Sequence, residues 1–131
     1  MPPELFAELE AAGVERLIDV RYRPQSRRPG MSKTRLGEAL AERGIAYEHR
    51  RALGTPPGIR WLFKANRVAE GRAAFRAHIE EDPALQALAA ELPHAPATAL
   101  LCLEADSAEC HRRVISELLA ERLPGLRITD L

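Results

Sequence analysis

Three consecutive residues, Cys110, His111 and Arg112, combine a nucleophile, a proton carrier and a cation. A polar segment precedes them and an apolar periodic segment follows, so we expect the triplet in the first turn of a helix over about 110–122. The first turn of a helix favours an anion, either a bound ligand or a thiolate. A cysteine so placed beside a cation can act as a nucleophile, and an arginine can bind a phosphate or carboxylate through two hydrogen bonds.

The same residues also fit a structural role. Cys110 is in line with Val114, and His111 with Ile115, at four-residue spacing. Either side chain can therefore be the end of an apolar core stripe, where a buried cysteine is inert. Cys102 lies inside an apolar stretch and is predicted to be structural.

A second candidate region is the segment from Val20 to Arg35, which holds six basic residues and no acidic one. Its prolines and glycine indicate a loop, which we call the arginine loop. The whole chain has 19 basic and 19 acidic residues, so a positive loop fits a small anionic ligand better than a long polyanion such as nucleic acid. Arg21, Ser26 and Arg27 are the predicted ligand-binding residues. A solvated loop paired to acids elsewhere is the alternative.

Further polar side chains lie near the expected strand ends. If the strands that carry Asp19 and Glu104 are neighbours, both acids face one crevice, where they can orient an arginine or act as general base. The alternative is that each neutralises nearby arginines. Tyr47 and His49 alternate along a strand and therefore share a face. Tyr47 is predicted to bind ligand, whereas a lone histidine is more often a surface or hydrogen-bonded residue.

Neither a metal nor a cofactor is expected. Cys102, Cys110 and the histidines lack any standard metal-ligand spacing. No glycine-rich phosphate loop of either standard pattern is present, which argues against a nucleotide cofactor.

The elements that must position these residues alternate between helix and strand. Helices are predicted over Pro3–Ala12, from Ser32 to Gly44, through Ile59–Leu92 with a break at Asp82-Pro83, and from about Cys110 to Arg122. Strands are predicted over Arg16–Val20, Ile45–His49, Thr98–Leu103 and Leu126–Ile128. Loops are predicted over Leu53–Gly58 and Glu104–Glu109.

This alternation predicts a single α/β domain over residues 1–131, with a three-layer fold and a mainly parallel sheet of about four strands flanked by helices. The stretch Thr98–Leu103 is apolar on both faces and is predicted to be a central strand. Trp61 is predicted to be a core anchor. Ligands of such folds bind in the loops that follow the carboxyl ends of the strands.

Composition excludes several classes of protein. With 46% apolar and 29% charged residues, the chain is neither a disordered, a collagen-like nor a disulfide-rich protein. No apolar run approaches the ~18 residues of a membrane span, and the first residues have no signal-peptide pattern. We therefore expect a cytoplasmic protein with reduced thiols and no membrane partner.

Spaced blocks along the chain resemble one known family: Asp19-Val20-Arg21, Pro24, Ser26-Arg27, Gly44-Ile45 with Tyr47, Leu53-Gly54, Cys102, Glu104 and Cys110-His111-Arg112. This pattern is similar to the bacterial and archaeal family known as domain of unknown function 488, from about Leu17 to Arg112 and into the last helix. The resemblance implies a small α/β domain in which the arginine loop and the Cys-His-Arg turn form one site, and it implies no particular reaction.

Two features depart from the family pattern. Members usually open with a short strand that ends in a Gly-His-Ser turn, whereas this sequence begins at the helix that follows. If that turn belongs to the site, we expect an impaired site in this chain. Leu103 stands where a small residue is common, which we expect to affect packing more than chemistry.

Three hypotheses for function remain at this point. The first is an enzyme acting on a small anionic substrate, in which arginines bind the anion, Cys110 is the nucleophile, and His111 or Glu104 transfers protons. The second is a binding or sensor module for a nucleotide, a nucleic-acid end or a modified base, without covalent chemistry. The third is a protein-interaction domain in which both cysteines are buried. The sequence indicates neither the substrate nor the oligomeric state.

Overall fold

The structure, a computed structural model, describes residues 2–22, 32–101 and 105–128, with side chains at 4–22, 32–101 and 111–128. Within those ranges the helices are α1 (Pro2–Ala11), α2 (Lys33–Glu42), α3 (Pro57–Lys64), α4 (Val68–Ile79), α5 (Pro83–Glu91) and α6 (Ala105–Arg122). The strands are β1 (Arg16–Asp19), β2 (Ala46–His49) and β3 (Thr98–Leu101), and short 3-10 turns span Arg51–Leu53 and Leu92–His94. In this part of the chain no helix is long and apolar enough to cross a membrane.

The strands form a parallel sheet in the order β2-β1-β3, with helices on both faces, so the predicted α/β class is confirmed. The described residues contain three strands instead of about four, because Leu126–Ile128 forms no strand. Leu126 packs against the core, and its N–H donates to the carbonyl of Leu123.

The prediction that the third strand is central was wrong, since β1 lies between its two neighbours and β3 pairs with β1 alone in the described sheet. The Thr98–Leu101 stretch is apolar because helices cover both faces of the sheet: Leu100 packs against one apolar cluster and Leu101 belongs to the other.

Two apolar clusters hold the helices to the sheet. On one face α1 and α2 pack against the strands through the buried residues Phe6, Leu9, Leu17, Leu36, Leu40, Ile45 and Leu101. On the other face α4, α5 and α6 pack through Ile18, Val20, Leu53, Phe75, Ile79, Leu85, Leu88, Val114, Ile115, Leu118 and Leu119. Alternate residues of β1 divide between the two clusters, as the two-residue period of a strand requires.

Most predicted helix boundaries are confirmed. Gly13 and Gly44 follow α1 and α2 with left-handed φ values of 71° and 73°, where glycine is favoured. The Asp82 carboxylate accepts a hydrogen bond of 2.8 Å from the N–H of Ala84 and so caps α5. Ser32 precedes α2 in the cap position, but its side chain makes no capping hydrogen bond.

Three predictions around α3 were wrong. The helical stretch predicted from Ile59 to the break at Asp82-Pro83 is interrupted after Lys64, where Asn66 has a left-handed φ, and α4 begins at Val68. The loop predicted to reach Gly58 ends earlier, because Pro57 begins the helix, a position that proline favours. Trp61 is not a core anchor, since 51% of its surface is exposed. Phe63 and Ile59 supply the core contacts of α3, and Trp61 lies on a different side of the helix.

The last helix begins five residues earlier than predicted. Ala105 to Glu109 are helical and not a loop, a stretch without glycine or proline to break a helix. Cys110 is therefore in the second turn of α6 instead of the first. Because only the first four N–H groups of a helix lack partners inside it, an anion near Cys110 has to be bound by side chains.

Candidate functional site

The carboxyl ends of the three strands meet at one edge of the sheet. Asp19 is in register with His49 on one side and with Leu101 on the other. The pairing continues one step further, since Val20 N–H donates to Leu101 O at 3.0 Å and Arg50 N–H to Asp19 O at 3.0 Å. The segments that follow the strands therefore leave the sheet side by side.

Asp19, Arg21, Tyr47 and His49 form a group at this edge that we call the buried polar cluster. The Asp19 carboxylate is completely buried. Its Oδ1 accepts from the backbone N–H of Arg21 at 3.1 Å and from Arg21 Nε at 2.8 Å. Its Oδ2 accepts from Arg21 Nη2 at 2.5 Å and from the Tyr47 hydroxyl at 2.6 Å.

The electrostatics of the buried polar cluster keep Arg21 charged and the Tyr47 hydroxyl protonated. Burial alone would lower the pKa of Arg21, but the hydrogen bonds and charge of Asp19 outweigh burial and raise it. Burial raises the pKa of Tyr47, and the Asp19 carboxylate raises it further. Four hydrogen bonds occupy the carboxylate, which has about four acceptor positions. Asp19 therefore pairs with Arg21, which fits both the predicted orienting role and the alternative that it neutralises an arginine. The carboxylate has no lone pair left for a general base.

His49 ties the backbone to the buried polar cluster. Its Nε2 lies 2.7 Å from the carbonyl oxygen of Arg21, and because a carbonyl only accepts, Nε2 is the donor. Tyr47 and His49 both contact the Asp19–Arg21 pair, so the prediction that they share a face is confirmed. Together these contacts fix the chain immediately before Tyr22, the residue that leads into 23–31.

His111 lies in the core at the beginning of the described side chains of α6. It is 3% exposed, its ring meets Phe75 edge-on at 4.5 Å, and its Nε2 lies 2.7 Å from Leu53 O. Burial lowers the pKa of His111 to about 4; the Leu53 hydrogen bond opposes this effect, and the charges of Arg112 and Arg60 add to it. The imidazole is therefore neutral near pH 7, with the proton of Nε2 donated to Leu53.

The turn of Arg51–Gly54, which we call the connecting turn, joins these two regions. A Cβ on Gly54 would lie 2.6 Å from both the N and the Cα of Tyr22, so only glycine fits there without displacement. The Arg51 guanidinium stacks over the Tyr22 ring at 4.3 Å. Since Leu53 O accepts from His111, the end of β1 and the Cys-His-Arg segment contact the same turn.

Arg60, His111 and Arg112 form a second group, which we call the cationic corner. Both arginines act on His111 as positive charges. Arg112 Nε is buried and has no hydrogen-bond partner in the described part of the chain. A carboxylate or phosphate oxygen is the natural acceptor for such a guanidinium. Among the residues whose side chains are described, no three His, Cys, Asp or Glu come together as metal ligands.

The structure brings part of the predicted site together. Asp19, Arg21 and Tyr47 contact one another, and His111, the residue before Arg112 in α6, contacts the connecting turn. Four predicted site residues fall outside the described side chains: Ser26, Arg27, Glu104 and Cys110, the last with its backbone in α6.

Sequence reasoning placed Leu53-Gly54 in a loop and among the family blocks but gave the connecting turn no role in the site, and it missed Arg60. The available signal was the stretch His49–Ala69, which contains five basic residues and no acidic one.

Comparison with known proteins gives one match. The family model described as "Domain of unknown function DUF488" matches residues 2–119, which is most of the chain. No curated protein and no solved structure matches it. The match includes the buried polar cluster, the connecting turn and the cationic corner.

Proposed function

The chain belongs to the DUF488 family, whose function is unknown, and we propose that it is an enzyme acting on a small anionic substrate at the carboxyl edge of the sheet. One observation carries the proposal: a buried guanidinium N–H of Arg112 that has no partner among the described residues, beside a second positive charge. A buried donor left unsatisfied costs roughly 1–3 kcal/mol. An anionic oxygen bound at Arg112 would remove that cost.

Cys110 is the proposed nucleophile. It directly precedes His111 in α6, so its backbone is fixed by the helix that anchors the cationic corner. Positive charge near a thiol favours the thiolate, the reactive form. The thiolate forms a bond to the electrophilic atom of the substrate while the leaving group departs with its electron pair. Water then hydrolyses the covalent intermediate and returns a proton to the sulfur or to solvent.

The remaining predicted residues have different proposed roles. The Nε2 proton of His111 is donated to Leu53, which supports a positioning role for this histidine. We therefore assign proton transfer to Glu104, which directly precedes α6 in the chain. Asp19, Arg21 and Tyr47 act by fixing the start of the arginine loop, from which Ser26 and Arg27 reach the substrate.

The test is the alkylation rate of each cysteine from about pH 5 to pH 9, read by peptide mass spectrometry. We expect Cys110 to react with a midpoint well below the ~8.5 of a free thiol and Cys102 to react slowly. Cys102 serves as the internal control. If both cysteines stay unreactive until the protein unfolds, the nucleophile proposal is wrong. That result would instead support the hypothesis of a protein-interaction domain, which expects both cysteines to be buried.

A binding module without covalent chemistry is the second candidate. The positive charges that act on His111 come from Arg112 and Arg60. Because arginines bind an anion without the help of a thiol, this arrangement also supports a binding module. Salt-dependent anion binding that survives Cys110→Ser but not Arg112→Gln, together with a slow Cys110, would establish this function instead.

A further inference from the structure

Trp61 is the only tryptophan of the chain, and it stands out among the described side chains because 51% of its surface is exposed. The same helix places Phe63 in the core, so α3 does not need Trp61 for its attachment. Tryptophan combines a large apolar surface with one polar N–H and is enriched at binding surfaces.

The surroundings of Trp61 are positively charged. The chain turns at Asn66, which has a left-handed φ of 62°, and the Arg67 guanidinium lies 5.4 Å from the centre of the Trp61 ring. Arg67 also pairs with Glu70. Arg60 precedes Trp61 directly, and Lys64 follows it by less than one helical turn. An exposed aromatic ring among cations is the arrangement with which proteins stack nucleobases next to phosphates.

Trp61 is also linked to the cationic corner. Arg60, its neighbour in sequence, is one of the two positive charges that act on His111. The other is Arg112, whose buried Nε has no acceptor within residues 4–22, 32–101 and 111–128. Helix α3, which carries Arg60 and Trp61, packs against α6, which carries Arg112. A ligand with its anionic group at the cationic corner and an aromatic ring on Trp61 would therefore bridge two helices that contact each other.

We propose that the ligand of this site is a nucleotide whose base stacks on Trp61 and whose phosphate is bound by Arg112 and Arg60. The proposal rests on the anion site of the proposed function and adds the class of substrate to it. Arginine side chains would contact the phosphate, so the absence of a glycine-rich phosphate loop does not conflict with it. A free mononucleotide and the terminal nucleotide of a strand share this chemistry.

The first experiment uses Trp61 fluorescence, which reports on one position because the chain has no other tryptophan. The protein is titrated with adenosine, guanosine, cytidine and uridine monophosphates, with ribose 5-phosphate, and with adenosine. We expect saturable quenching by all four monophosphates, because stacking tolerates every base. Ribose 5-phosphate should compete with them while changing the fluorescence little, and adenosine should bind at least tenfold more weakly.

The second experiment measures affinity by calorimetry in variants. Trp61→Leu should weaken adenosine monophosphate binding roughly 5- to 150-fold, the range expected for loss of one stacked base. Its affinity for ribose 5-phosphate should be unchanged. Ile128→Ala is the matched control, because Ile128 is a large side chain exposed to a similar extent, 47%, on another segment. Because Trp61 is exposed, its replacement should leave the fold intact, which circular dichroism checks.

The outcomes separate this inference from the proposed function. Equal affinity for adenosine monophosphate and ribose 5-phosphate, unchanged by Trp61→Leu, would overturn the stacking role and leave the anion site standing. No binding of either compound would overturn the nucleotide proposal, and the alkylation profile of Cys110 would then show whether the enzyme proposal fails too. A short 5′-phosphorylated single strand that binds at least tenfold more tightly than the mononucleotide would identify the strand end as the source.

Discussion

The buried polar cluster and the cationic corner lie at the same edge of the sheet but differ in how their charges are matched. In the buried polar cluster the Asp19 carboxylate accepts four hydrogen bonds and balances Arg21. In the cationic corner two positive charges act on His111, and Arg112 Nε has no hydrogen-bond partner in the part of the chain that the structure describes. Both groups contain a buried guanidinium nitrogen, so the difference lies in its partner.

This difference separates a scaffold from a binding site. A satisfied polar network rigidifies the chain around it, and here it fixes the backbone that leads to Tyr22. An unsatisfied donor is costly in the empty protein and becomes favourable when a ligand supplies the acceptor. We therefore expect changes in the buried polar cluster to reduce stability, and changes in the cationic corner to reduce ligand binding and thiol reactivity.

The largest effect is expected for Asp19→Ala. Removing the carboxylate leaves Arg21 and the Tyr47 hydroxyl buried without their shared partner, which should destabilise the fold by about 3–5 kcal/mol. Urea unfolding at pH 7 measures this loss. Glu70→Ala is the control, because it removes the partner of Arg67 in an exposed pair and should leave stability unchanged. Similar midpoints for the two variants would contradict the assigned scaffold role.

His111 should make stability depend on pH. Its pKa is about 4 in the folded state and 6.5 in the unfolded chain, so between these values only the unfolded state binds the proton. The contribution of neutral His111 to the free energy of unfolding is complete above pH 6.5 and is lost as the pH falls to about 4. At ~1.4 kcal/mol per pKa unit the loss is about 3 kcal/mol. Urea unfolding of wild type and His111→Gln at several pH values tests this, and parallel curves would refute it.

Gly54→Ala should act on both groups through the connecting turn. The new methyl group would overlap the Tyr22 backbone, with an expected cost of about 1–3 kcal/mol. Gly58→Ala is the matched control, because nothing lies within 4 Å of the added atom and stability should be unchanged. NMR shifts of the His111 ring should move in Gly54→Ala alone. A His111 signal that stays in place would mean that the connecting turn does not couple the two groups.

The sequence predicted the fold class and most helix boundaries because these depend on local signals. Gly13 and Gly44 end helices, and Asp82 with Pro83 begins one. The position of β3 at the edge of the described sheet could not be predicted. An apolar sequence shows that both faces of a strand are covered, but it does not show whether the strand pairs with one neighbouring strand or with two. The exposure of Trp61 was missed for a related reason: hydrophobicity alone does not say which side of a helix faces the core.

The sequence also predicted the types of residues in the site better than their arrangement. Asp19, Arg21 and Tyr47 were chosen because they lie near strand ends, and parallel pairing brings them together. The hydrogen bond between His111 and Leu53 joins positions 58 residues apart and involves a backbone carbonyl, which no sequence motif marks. The unpartnered Arg112 Nε is likewise a property of tertiary packing.

The most direct test of the cationic corner compares a negatively charged and a neutral alkylating agent, iodoacetate and iodoacetamide, at Cys110. We predict that the ratio of the iodoacetate rate to the iodoacetamide rate at Cys110 is higher in the folded protein than in the unfolded protein. We also predict that Arg112→Gln lowers this ratio about fivefold. In water, two unit charges about 4 Å apart interact by ~1 kcal/mol, which corresponds to a factor of about five in rate. A ratio equal to that of the unfolded chain, and unchanged in Arg112→Gln, would contradict an anion site at the cationic corner.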